Sequence, residues 1–137
     1  MDIKHKIEQF KKEIGNPTRY NQEQQKIFAA FTKENGKDIN FSITDSEGVT
    51  LRLFIKSSDS AIHILKRHYL EEKGKVTAHE ILHMFDIIRT GAKTFENNKY
   101  TYRKQYKINK TTFTIVISLV KSNGKVALKT FYSNREY

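Results

Sequence analysis

The chain has 137 residues, enough to bury one core, and carries 25 Lys and Arg against 15 Asp and Glu, a formal net charge of +10. Such a field attracts phosphate backbones, acidic surfaces or anionic lipid, and puts nucleic acid first among expected partners. Cysteine is absent, which excludes disulfides, thiolate ligands and a cysteine nucleophile, so that any metal would need His and carboxylate ligands.

Ile3, Ile7, Phe10 and Ile14 recur at helical spacing before Gly15-Asn16-Pro17, and a second helix is predicted from Gln22 to Glu34, stopped by Asn35-Gly36. The charged N-terminal pattern is not that of an export signal, and no stretch reaches membrane-spanning length, so a soluble, cytoplasmic protein without membrane contact is expected. Ile39, Phe41 and Ile43, then Val49, Leu51, Leu53 and Ile55, alternate with polar residues around Asp45-Ser46-Glu47-Gly48, which predicts a hairpin. Ser57 to Ser60 offer N-caps for a helix through AIHILKRHYLEEKGK to Gly74. Thr77 and Glu80 form a capping box for a second helix, AHEILHMFDIIRTG, ended by Gly91. The period then falls to two: KYTYRKQYKI, TTFTIVISLV and KVALKTFYS are predicted strands, joined by Asn109-Lys110 and Ser122-Asn123-Gly124. Thr114 to Val120 is apolar on both parities, as a strand covered on both faces would be. The expected fold is α+β: N-terminal helices and a hairpin, then two helices on a C-terminal antiparallel sheet. A single domain is expected, with 1–56 as an accessory extension of a core at 57–137.

HEILH satisfies the H-E-x-x-H pattern, in which two histidines one turn apart hold zinc and the intervening Glu activates the bound water. Here that would make His79 and His83 the ligands and Glu80 the base. The third ligand is wanting, because Glu96 lies just beyond the helix and Asp86 shares the His83 face at an unusual spacing. On a helical wheel Ala78, Ile81, Leu82, Phe85 and Ile88 form the core stripe, while His79, His83 and Asp86 face away. The motif reads as a capped helix with a solvated face, and a zinc peptidase is the alternative.

In AIHILKRHY the buried stripe is Ala61, Ile62, Leu65 and Tyr69, with Ile64 beside it. His63 and Arg67 project from the opposite side, and His68 lies at the border. The closing KTFYSNREY gathers Lys129, Thr130, Tyr132, Ser133, Asn134 and Arg135. Alternation sets Thr130 and Tyr132 opposite Phe131, and sets Arg103 and Lys107 opposite Tyr102 and Tyr106. With Phe131 and the tyrosines under the helices, Arg103, Lys107, Thr130 and Tyr132 share an exposed, cationic, hydroxyl-rich face suited to a phosphodiester and a stacked base.

The segment from about Ser57 to Tyr137, with HILKRH in the first helix, IIRTG closing the second, Arg103 in the first strand and KTFY in the last, resembles the metal-independent RNases of the barnase-EndoU-colicin-RelE superfamily. More narrowly, it resembles the phage-associated branch. The resemblance implies RNA cleavage without a cofactor, by 2′-OH attack giving a 2′,3′-cyclic phosphate and a 5′-hydroxyl. It implies catalytic roles for His63 or His68, for Arg103, and for Thr130 and Tyr132. Around these, Arg67, Lys107, Lys129, Ser133, Asn134 and Arg135 would bind substrate RNA, tRNA among the candidates. It further implies a toxin or phage-linked effector held in check by an acidic antitoxin or immunity protein. A non-catalytic nucleic-acid-binding module is the third reading.

Overall fold

Period-3.6 patterning fills the first quarter of the chain and period-2 patterning the last third, and a computed structural model turns these into one α+β unit. It describes residues 2–32, 39–107, 109–120 and 124–135. Helix α1 (Ile3–Ile14) opens on an Asp2 side chain that accepts the His5 amide and closes at Gly15, and it buries Ile7, Phe10 and Ile14. Helix α2 (Gln22–Thr32) buries Ile27, Ala30 and Phe31, with Phe28 and Phe31 stacked on Phe10. The predicted stop at Asn35-Gly36 lies outside the described residues, as do residues 122 and 123 of the last turn.

Strands β1 (Ile39–Thr44) and β2 (Thr50–Ile55) form the expected hairpin. Its turn is anchored by Asp45, a carboxylate only 5% exposed that accepts from Lys93 Nζ at 2.7 Å, the Tyr102 hydroxyl at 2.8 Å and the Glu47 and Val49 amides. Burial alone would raise its pKa. The Lys93, Val49, Tyr102 and Glu47 hydrogen bonds outweigh that and hold it at about 2.

The next segment departs from expectation. Ser57–Ala61 is a π-turn; the side chains of Ser57 and Ser60 cap nothing, and their hydroxyls have no hydrogen-bond partner. Helix α3 (Ile62–Arg67) stops at His68 instead of continuing to Gly74. The reason is Lys6. It sits on the buried stripe of α1, 2% exposed, and its ammonium donates at 2.9 Å to the carbonyls of Leu65 and Lys66 and to Glu71. Those carbonyls would otherwise receive the amides of residues 69 and 70. The Tyr69 amide bonds Ile64 instead, Leu70 takes φ 60°, and the Tyr69 ring turns inward against Phe10 with its hydroxyl donating to Glu13 at 2.6 Å.

The Thr77–Glu80 capping box forms as predicted, but the helix it opens is split into α4 (Ala78–Leu82) and α5 (Phe85–Thr90). A strand absent from the expectation, β3 (Ala92–Glu96), follows and pairs with β4 (Lys99–Gln105) through Asn97-Asn98, both at positive φ. Asparagine tolerates this conformation, and two such residues suit a tight hairpin. Strands β5 (Thr112–Leu119) and β6 (Val126–Ser133) complete a six-stranded sheet of order β1-β2-β6-β5-β4-β3, antiparallel except for the β2–β6 pair.

The N-terminal hairpin therefore extends the sheet, and one continuous core runs from Ile7 to Phe131 across the expected boundary at residue 56. Helices cover one face only: Leu53, Ile115, Ile117, Leu128 and Phe131 are buried beneath them, while Arg103 and Lys99 remain exposed on the other. Coverage of β5 on both faces is thus not found. Its second face carries no helix, although Thr114 there is 4% exposed and Val116 half-buried among neighbouring side chains. No helix among the described residues is long and apolar enough to cross a membrane.

Two outcomes follow for stability. Replacing Lys6 by Met should cost about 2–3 kcal/mol in urea unfolding, since two carbonyls lose a charged donor. Asp45, whose folded pKa lies below the ordinary 3.8, contributes stability that is present above pH 4 and is lost as pH falls towards 2. The stability gap between the native chain and Asp45→Asn should therefore narrow by about 2 kcal/mol across that window.

Candidate functional site

The site begins with a bulge. Val116 pairs with Thr130 and Ile117 with Leu128, leaving Lys129 as the extra residue of β6. Beyond it Phe131 turns into the core, while Thr130 and Tyr132 share the face bared of helices. Cross-strand register arranges that face in rows: Arg103, Thr114 and Tyr132 in one, Thr101, Val116 and Thr130 in the next. The alternation read from the sequence is observed for Thr130, Phe131 and Tyr132 and for Tyr102 and Arg103, but not for Tyr106 and Lys107, which lie beyond β4, Tyr106 being 38% exposed.

Above β6 stands the end of α3. His68 occupies its C-cap, half-buried, with Nδ1 3.4 Å from the carbonyl of Lys73 and its ring 5.5 Å from that of Tyr132. The His63 ring is 6.3 Å from that of His68, edge to face at 76°. The loop after α3 is fastened to β6 by Gly74 N–H to the Arg135 carbonyl (2.8 Å) and Ser133 N–H to the Gly74 carbonyl (3.2 Å). Glycine is required at this crossing. Its φ is +67°, and a Cβ there would lie 2.7 Å from His68 Nδ1.

The His68 pKa is lowered below its ordinary 6.5, chiefly by burial, with the charges of His63 and Arg67 acting the same way and the Lys73 carbonyl and Glu71 opposing them. Glu71 is itself held below the usual carboxylate range by its hydrogen bond to Lys6. His68 therefore presents a neutral imidazole, free to accept a proton, near pH 7.

His63, Thr130 and Tyr132 form a ridge between two lobes of a groove. One lobe, of about 1240 Å³, includes His68, Arg67, Lys66 and Lys73. The other, of about 600 Å³, includes Lys56, Lys99, Lys129 and Phe54.

No family model, curated protein or solved structure matches this chain.

Of the residues singled out in the sequence, His63, His68, Arg67, Lys129, Thr130 and Tyr132 converge on this groove. Arg103 shares the row of Tyr132 but two strands away, roughly 10 Å at the strand spacing, and lies outside the lining of either lobe. Lys107 sits in the turn beyond β4 and is likewise outside it.

Ser133, Asn134 and Arg135 border the first lobe, and each also makes internal hydrogen bonds. The Ser133 hydroxyl donates to the Lys75 carbonyl, Asn134 Oδ1 accepts the Thr112 amide, and Arg135 pairs with Glu80 and donates to the Lys75 carbonyl. Ser133 and Arg135 thereby hold the loop on β6, and Asn134 ties the segment after β6 to β5.

The HEILH residues are divided among other partners. His79 Nε2 lies 3.1 Å from the Tyr20 hydroxyl, and His83 Nδ1 lies 3.2 Å from Gln24 Nε2. Glu80 closes its capping box and meets Arg135. Among the described residues no three His, Asp or Glu side chains are grouped to hold a metal ion. These polar contacts fasten α4 to the Tyr20–Gln24 segment.

Lys66, Lys73, Lys56 and Lys99 line the groove without having been singled out. Lys66 stands within HILKRH and could have been included. Lys73 carries no signal, because a helix through Gly74 would have sent it elsewhere.

The crowding at Gly74 yields a test. Gly74→Ala should displace the His68 ring and move its NMR titration midpoint, which in the native chain should lie below 6.5; an unchanged midpoint in the variant would mean that Gly74 does not position the ring.

Proposed function

We propose that this chain is a metal-independent endoribonuclease in which His68 and His63 form the proton-transfer pair. The observation that carries this reading is the pair of imidazoles with ring centres 6.3 Å apart on a groove lined by Lys66, Arg67 and Lys73. Each ring nitrogen must come within roughly 3 Å of its oxygen, and this separation leaves room for one phosphodiester between the rings. His68, kept neutral by burial, takes the ribose 2′-OH proton as O2′ forms its bond to phosphorus. The P–O5′ bond breaks, and His63, protonated, supplies the proton to the leaving O5′. The products are a 2′,3′-cyclic phosphate and a 5′-hydroxyl. Solvent then returns each histidine to its starting state.

The cations and the hydroxyl of Tyr132 would face the charge that develops on the phosphorane oxygens, with Thr130 packed beside them. Helices α3, α4 and α5 followed by the β3-β4-β5-β6 meander support the likeness to the barnase-EndoU-colicin-RelE group. A chain of +10 also suits an acidic antitoxin or immunity protein that covers the first lobe, and hence a toxin or phage-linked effector.

Purified protein should cleave RNA in excess EDTA and leave cyclic-phosphate ends, with kcat/KM rising through a pKa below 6.5. His63→Ala and His68→Ala should each lose about 100-fold or more, while Glu80→Gln, which preserves the capping bond, stays active. Intact RNA, or cleavage indifferent to both histidine variants, would defeat the proposal.

A further inference from the structure

The second lobe differs in kind from the first. Its floor is the open sheet face: Phe54 of β2 pairs with Ala127 of β6, which pairs with Ser118 of β5, which pairs with Lys99 of β4, so these four side chains share one cross-strand row. Val116 lies in the adjoining row beside Thr130. Phe54, Ala127 and Val116 are half-buried, and together they make an apolar platform continuous with the Tyr132 ridge. Three lysines, Lys56, Lys99 and Lys129, surround it, and Lys129 is placed there by the bulge. Ser60 and Thr130 are also in the lining, with buried hydroxyls that have no hydrogen-bond partner.

An apolar sheet floor ringed by ammonium groups fits a planar ring attached to a phosphate chain. It does not fit a base pair, whose bases present only their edges and cannot lie flat on a recessed floor. We infer that the second lobe is a nucleobase subsite, in which Phe54 stacks one unpaired base of the strand whose phosphate lies on the ridge. This rests on the ribonuclease reading for the identity of the chain that crosses the ridge. It adds that the strand is unpaired on the Phe54 side and is held there through its base.

The test separates the two claims by measuring binding without cleavage. In a His63→Ala/His68→Ala background, a fluorescein-labelled single-stranded RNA 12-mer and an abasic ribose-phosphate chain of equal length are titrated by anisotropy, alone and with Phe54→Ala or Phe54→Leu added. The intact strand should bind about tenfold more tightly than the abasic chain, in line with base–aromatic stacking. Phe54→Ala should remove that difference while leaving abasic binding unchanged, and Phe54→Leu, which keeps apolar volume in the sheet, should do the same with unaltered thermal unfolding. Equal binding of the two chains, or equal weakening of both by the Phe54 variants, overturns the subsite and leaves the ribonuclease reading standing. Tenfold discrimination by a native chain that cuts no RNA keeps the subsite and overturns the ribonuclease. Failure of every chain to bind removes both.

Discussion

One buried ammonium decides where α3 ends, and the rest of the groove depends on that ending. Lys6 takes two carbonyls from the last turn of α3, so the chain leaves the helix at His68 rather than at Gly74. Only then can the following loop reach β6, where Gly74 pairs with Ser133 and Arg135, and only then does His68 come to rest beside Tyr132. A buried lysine is costly unless every donor is used, and here all three bonds are present at 2.9 Å. The N-terminal helix is thereby part of the site's architecture, although of its residues only those near Asp2, Ile3 and Lys6 approach the groove.

What could be read in the sequence was whatever local pattern determines. The α1 stripe, the β1–β2 hairpin, the Thr77 capping box and the parity of Thr130, Phe131 and Tyr132 are set by periodicity within a few residues, and the structure has them as read. What failed was decided from a distance. The helix expected through LEEKG has no local breaker before Gly74; its end is imposed by a lysine about sixty positions earlier. Strand β3 is nearly all exposed and so has no inward-facing alternation, although Asn97-Asn98 was a usable turn signal. HEILH was read as a capped helix with a solvated face, and His79 and His83 are exposed; what the pattern could not give were their partners, Tyr20 and Gln24, or that of Glu80, Arg135. Arg103 was placed on the right face, yet a face is several strands wide, and parity alone does not fix which strand bears the chemistry.

The bulge at Lys129 makes the site's asymmetry. Before it, Leu128 faces the core; after it, Thr130 faces outward although it is two residues on, so the parity of β6 resets within the groove. The same irregularity therefore delivers a lysine to one lobe and a pair of hydroxyls to the ridge. Since Phe131 remains stacked on Phe113 below, these outward side chains stand on a packed floor rather than on a mobile loop.

The parallel contact between β2 and β6 has a bearing on the order of assembly. The β1–β2 hairpin and the β3-β4-β5 meander close through short connections, but Leu53 must find Val126 across most of the chain. Such long-range closure is entropically the slowest to form. Strand β6 carries the ridge and lies between the hairpin and the meander, so the second lobe, which takes Phe54 from β2, needs that closure, whereas the lining of the first takes nothing from the hairpin.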